Sequence, residues 1–155
     1  MSKSPPINGL GAILQQAGLV SSARIETALQ EQIQYQDMKI GEILALRGWI
    51  KQETADFFVQ KWPTLVTQQR KQRKQPLGYY LKEAALLDED QISTLISEQQ
   101  QKSPWIRFGA LAVFKGWLKL TTVEFFLEYL FPEFASDSPF ISPHARGYSD
   151  PENHS

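Results

Sequence analysis

The sequence predicts an all-α protein of four helix-turn-helix hairpins, arranged as two pseudo-repeated halves with a disordered C-terminal tail. Three observations carry this prediction. Apolar residues recur at helical spacing, and no segment alternates like a strand. Small residues stand where short helices should stop, the place where a left-handed conformation is needed. One pattern of small and apolar residues also returns four times along 155 residues.

The repeat is seen by aligning Gly11, Gly41, Gly78 and Gly109, which are separated by 30, 37 and 31 residues. Each follows an apolar residue: Leu10, Ile40, Leu77 or Phe108. Seven residues on stand Gly18, Gly48, Ala85 and Gly116. Each of these precedes an apolar pair: Leu19-Val20, Trp49-Ile50, Leu86-Leu87 or Trp117-Leu118. The second helices carry Ile25, Ala55, Ile92 and Val123, then Leu29, Val59, Ile96 and Leu127.

In the first hairpin, a helix over Leu10 to Ala17 places Ile13 and Leu14 on the face of Leu10. Gly18 ends it, and Ser21 or Ser22 caps the next helix, which carries Ile25, Ala28 and Leu29. In the second hairpin Lys51 is a poor cap, and Phe57, Phe58 and Val59 are the apolar residues. In the third, Asp88 with Gln91 forms a capping box ahead of Ile92, Leu95 and Ile96. In the fourth, Thr121 with Glu124 forms another, ahead of the stripe Val123, Phe126, Leu127 and Leu130. One hairpin cannot bury its own apolar face, so the hairpins pair into halves 7–62 and 76–134. Residues 63–75 read as a polar, basic linker or helical extension, and 135–155, rich in Pro and Ser, as the disordered tail.

Sixteen Lys and Arg against seventeen Asp and Glu leave a net charge of −1, which argues against a general nucleic-acid or membrane-surface binder. There is no cysteine, and the two histidines, His144 and His154, lie near the C-terminus. Thiolate chemistry, a His triad and a multi-His metal site in the folded body are thereby excluded. Asp88-Glu89-Asp90 reads as the acidic start of a helix. The expectation is a non-enzymatic protein with no catalytic residue, no metal and no cofactor. The longest apolar run, Phe108 to Phe114, is seven residues, far below the roughly 20 a membrane span needs. With no apolar targeting segment in Met1 to Asn8, the expectation is a soluble, cytoplasmic chain.

The repeated pattern resembles the N-terminal, MshEN-like domain of type II secretion and type IV pilus assembly ATPases, duplicated here and without the ATPase. The resemblance lies in Gly9-Leu10-Gly11-Ala12-Ile13-Leu14 through Gly18-Leu19-Val20 to Gln32, and in Lys39-Ile40-Gly41-Glu42-Ile43-Leu44 through Gly48-Trp49-Ile50. It continues in Pro76-Leu77-Gly78 through Ala85-Leu86-Leu87 to Gln99, and in Arg107-Phe108-Gly109 through Gly116-Trp117-Leu118. Some members of that family bind cyclic di-GMP. The resemblance implies Lys39 and Arg107 as phosphate or guanine contacts, Gly41 and Gly109 as a backbone floor, and Gln32 and Gln99 as closing polar groups. The nucleotide-binding versions carry Arg before each apolar-Gly pair, whereas Gly9 and Pro76 stand at two of those positions here. Arg forks and stacks in ways Lys does not. The sequence contains no G-x-x-x-x-G-K-[ST] phosphate loop, so the module is expected to act on another protein.

Two further features could carry partners. Arg70, Lys71, Arg73 and Lys74 form a basic run that is either a solvated linker or an anion contact. Nine of the 31 residues from Pro104 to Phe134 are aromatic. They form either a rich core or an exposed patch built on Trp117, Phe125, Phe126, Tyr129 and Phe131. The leading expectation is a bacterial regulatory or adaptor protein that docks a protein partner through that patch, in pilus or secretion machinery or a related signalling pathway. A cyclic di-GMP receptor is the alternative, and a nucleic-acid-associated regulator the third reading. A homo-oligomer is compatible with each.

Overall fold

The computed structural model describes residues 9–68, 75–101 and 106–132. These residues are predominantly helical and contain no β-strand. The chain divides into two compact units, residues 1–74 with 83–85, and residues 75–82 with 86–155. The basic run Arg70, Lys71, Arg73 and Lys74, together with Trp105 and the predicted tail, lies outside the described residues.

The first unit holds α1 (Leu10–Gln16), α2 (Ser22–Gln34), α3 (Ile40–Leu46) and α4 (Gln52–Asp56). A π-helical turn, Phe57–Lys61, then leads into α5 (Trp62–Thr67). Helices as short as α1 and α3 are unstable in isolation, so tertiary burial must hold them. Leu10, Ile13 and Leu14 of α1 and Ile43 and Leu44 of α3 are buried. Each helix ends on a left-handed glycine. Gly18 (φ 74) lets the Leu19 N–H reach the Leu14 carbonyl at 2.9 Å. Gly48 (φ 77) lets Trp49 do the same to Leu44 at 2.9 Å. These closures satisfy carbonyls that a helix end otherwise leaves bare. Ser21 caps α2 by accepting the Arg24 N–H at 3.3 Å, and Lys51 makes no side-chain cap for α4.

The π-helical turn has a chemical cause. Pro63 has no N–H, and its ring crowds the carbonyl four residues back; widening the preceding turn relieves both problems. Helical structure therefore continues through Thr67, and buried Trp62 packs against Phe58 in a tilted contact at a centroid distance of 5.2 Å. Residues 83–85 belong to this unit, where the hydroxyl of buried Thr54 donates to the Ala84 carbonyl at 2.6 Å.

The second unit holds most of α6 (Leu77–Glu83), with α7 (Glu89–Gln101), α8 (Phe108–Phe114) and α9 (Leu120–Leu130). The Asp88–Gln91 capping box forms in full: the Asp88 N–H donates to Gln91 Oε1 at 2.9 Å, and the Gln91 N–H to Asp88 Oδ1 at 2.7 Å. The expected Thr121–Glu124 box does not form. The turn after Gly116 (φ 77) ends two residues sooner than a Thr121 cap requires, so Lys119 becomes the N-cap and Thr121 falls inside α9.

Burial corrects the sequence pattern in one column. Leu29, Val59 and Ile96 are exposed, although their spacing placed them with the core. Ile25 and Ala28 of α2 are buried, and Leu29 lies about 40° beyond Ile25 around the helix, past the edge of the covered stripe.

Candidate functional site

In each unit the structure places a closing Gln beside the basic residue that opens the next repeat. Gln32 Nε2 donates to the Met38 carbonyl at 3.1 Å, next to Lys39. Gln99 Nε2 donates to the Ile106 carbonyl at 2.7 Å, next to Arg107. Lys39 and Arg107 are the N-caps of α3 and α8. Lys39 is exposed, and its backbone N–H donates to Glu42 Oε1 at 2.8 Å. Arg107 is half-buried, with Nη2 shielded from solvent.

The glycines do not join them as a floor. A Cβ on Gly41 would lie 3.0 Å from Leu10 Cδ2 and 3.1 Å from Ala55 Cβ. A Cβ on Gly109 would lie 2.7 Å from Val123 Cγ1 and 3.3 Å from Leu77 Cδ2. Both glycines are buried against neighbouring side chains, so they serve close helix packing and offer no open backbone to a ligand.

The expected aromatic patch is mostly core. Phe125, Phe126 and Phe131 are buried. Phe125 contacts Phe126 and Tyr129 at centroid distances of 6.3 and 4.9 Å, and Tyr80 contacts Phe131 at 6.0 Å. The sequence stripe through Val123 and Phe126 is only the centre of a wider buried face that also takes in Thr122 and Phe125. Tyr129 and Trp117 remain half-buried.

Trp117 belongs to a surface cluster that sequence reasoning did not assemble. Lys115 Nζ sits 5.4 Å from the Trp117 ring centroid and pairs with Glu98 at 2.8 Å. Phe114, immediately before Lys115, is 62% exposed. The first unit builds the same arrangement. Arg47 lies over Trp49 at 5.1 Å and donates from Nε to Glu31 Oε1 at 3.0 Å, and Leu46 immediately before it is exposed. Arg24 adds a second guanidinium over Trp49, at 5.0 Å. Each cation–ring contact contributes about 0.5–1 kcal/mol at such exposure, and the ion pairs no more than about 1. The signal was present in the repeat: Trp49 and Trp117 share a column, each two residues after a base. Nothing in one dimension showed that Glu31 and Glu98 would meet those bases.

The electrostatics are otherwise mild. Lys82 donates to Glu89 at 2.6 Å, and this hydrogen bond, with the attraction of the ammonium, holds the Glu89 carboxyl below its ordinary range. Among the described residues no cluster of three or more His, Cys, Asp or Glu could hold a metal ion. No helix of the described residues is long and apolar enough to cross a membrane.

Comparison with known proteins finds a relative in Picosynechococcus sp. strain PCC 7002, bearing the name of an uncharacterized protein. It is 40% identical over 141 residues, which span 90% of this chain and 73% of the relative. No protein-family model matches the chain. No solved structure matches it either.

Proposed function

The chain belongs to the family of that Picosynechococcus protein, and we propose for it a non-enzymatic regulatory or adaptor role exercised by protein–protein contact. The observation that carries this reading is Phe114, 62% exposed beside the Lys115–Trp117 pair. A large aromatic that is mostly exposed, next in the chain to the base that packs on a half-buried indole, has the composition of a docking hot spot. Packing of Gly41 and Gly109 against side chains removes the floor that a nucleotide would need, which favours contact by side chains over ligand capture. By resemblance, the partner is a component of pilus or secretion machinery, or of a signalling pathway using the same module, in the cytoplasm.

The test is direct binding of the full chain to a purified pilus- or secretion-assembly ATPase. Wild type should bind, and Phe114→Glu should weaken binding more than about tenfold, the loss typical of a central anchor. Binding that is indifferent to both Phe114→Glu and Trp117→Ala refutes the reading.

A second reading, cyclic di-GMP reception, draws support from the paired placement of Gln32 with Lys39 and of Gln99 with Arg107. Calorimetric titration with cyclic di-GMP, using GTP as control, tests it. Saturable heat lost in the Lys39→Ala/Arg107→Ala protein would establish the receptor, and no heat would dismiss it.

A further inference from the structure

We propose that Arg24, on the surface of the first unit, receives a carboxylate from an acidic segment of a protein partner. The proposal does not rest on the contact assigned to Phe114.

Arg24 and Glu31 stand about two turns apart on one side of α2. The turn after α3 lies against that side, where Arg47 meets Glu31 and Trp49 meets Arg24. The Glu31 carboxylate takes both Nε and Nη2 of Arg47, so that guanidinium is already neutralised. Arg47 also lies over the Trp49 ring at 5.1 Å and holds it in place. Arg24 lies over the same ring at 5.0 Å, and its backbone N–H is held by the Ser21 hydroxyl. Among the described residues no carboxylate pairs with the Arg24 guanidinium, which is exposed. An indole thus orders this side chain while its N–H donors face solvent.

The charges decide what it receives. Two guanidiniums and one carboxylate at a single ring leave one positive charge uncompensated. One further carboxylate balances it, and a carboxylate matches the planar fork of Arg with two parallel hydrogen bonds. A phosphate monoester brings close to two negative charges and calls for more than one uncommitted base. Because the guanidinium is ordered beforehand, little freedom is lost on binding.

The second unit shows that Arg24 is not needed to hold the tryptophan. There Lys115, Trp117 and Glu98 build the same cluster, one base against one acid. Gln91 stands in the column of Arg24, and its side chain is engaged in the α7 cap, accepting the Asp88 N–H at 2.9 Å. The cluster closes without a second base. Arg24 is therefore surplus to the fold, and the acid-binding property belongs to the first unit.

Nuclear magnetic resonance of the isotope-labelled full chain, titrated with an acetylated and amidated tetraglutamate peptide, tests this. The Trp49 indole N–H and the Arg24 Nε–H signals should shift together and saturate. Arg24→Gln should weaken binding about tenfold or more, the worth of a forked hydrogen bond between charged groups. Arg24→Lys keeps the charge but not the fork and should recover only part of the affinity. Circular dichroism of both variants should match wild type, because the side chain is exposed. The absence of a saturable shift overturns the proposal. So does binding that Arg24→Gln leaves unchanged, or a set of shifts that spares both named signals. A phosphoserine peptide of the same length that binds more tightly through Arg24 overturns the assignment of a carboxylate.

Discussion

The side-chain amide of Gln99 donates to the carbonyl of Ile106 at 2.7 Å, tying α7 to the residue before Arg107. The Gln32–Met38 contact does the same in the first unit, at 3.1 Å. Residues that a ligand-binding reading would aim at a nucleotide are thus engaged in joining one helix to the start of the next. Gln99→Leu should lower stability by about 1 kcal/mol, the net worth of such a hydrogen bond plus part of the cost of a stranded carbonyl. Chemical denaturation of the two proteins checks this. An unchanged midpoint would show that the bond contributes nothing.

The helix-packing glycines should differ among themselves. Gly109→Ala drives a methyl to 2.7 Å from Val123 Cγ1, an atom on a stiff β-branched side chain. Gly78→Ala meets only the Cζ edge of Phe108, at 2.9 Å. Overpacking of the first kind costs about 1–3 kcal/mol, well in excess of the gain in helix propensity. Gly109→Ala should therefore melt several degrees below wild type, and Gly78→Ala should fall between them.

Ala85 adopts φ 61, where the other three turns carry glycine at φ 74 to 77. A Cβ in this region is strained by about 1–2 kcal/mol. Ala85→Gly should raise stability by roughly 1 kcal/mol after glycine's larger unfolded-state entropy is subtracted. Gly48→Ala and Gly116→Ala should each lose a similar amount. Their Cβ atoms would meet nothing within 4 Å, so strain alone is being read.

Phe126→Ala should cost about 3–5 kcal/mol, because its side chain is wholly buried and a cavity would remain. Phe125→Ala should also destabilise strongly. Neither variant should retain native stability while losing a partner. If thermal unfolding of Phe125→Ala matches wild type, its ring is not part of the core.

Glu89 sets a mild pH dependence. Lys82 lowers its pKa in the folded chain, so the unfolded chain binds the proton more readily. The contribution to stability is therefore present above the ordinary glutamate range and is lost as pH falls through the lowered folded value. The pair is exposed, so the effect should be small and screened by salt. Melting temperature followed from neutral to acid pH should fall less steeply in Glu89→Gln than in wild type.

The helix ends were legible because their causes are local. A left-handed glycine two residues past the last helical residue closes α1, α3 and α8. Asp88 and Gln91 reach each other across a single turn. The candidate site was only half legible for the opposite reason. Gln32 and Lys39 are close in sequence, and so are Gln99 and Arg107, so their proximity needed no tertiary argument. Glu31 with Arg47, and Glu98 with Lys115, meet only when one helix packs on the next.

By itself, then, the sequence determined the helical class, the turn glycines and the α7 cap, since each depends on backbone chemistry within a few residues. The tertiary structure decided which apolar residues face water. Phe125 and Phe131 are buried while Leu46 and Phe114 are mostly exposed, although hydrophobicity alone would rank the phenylalanines alike. Burial depends on what a neighbouring helix happens to cover, and helical spacing gives the direction of a side chain but not what stands opposite it.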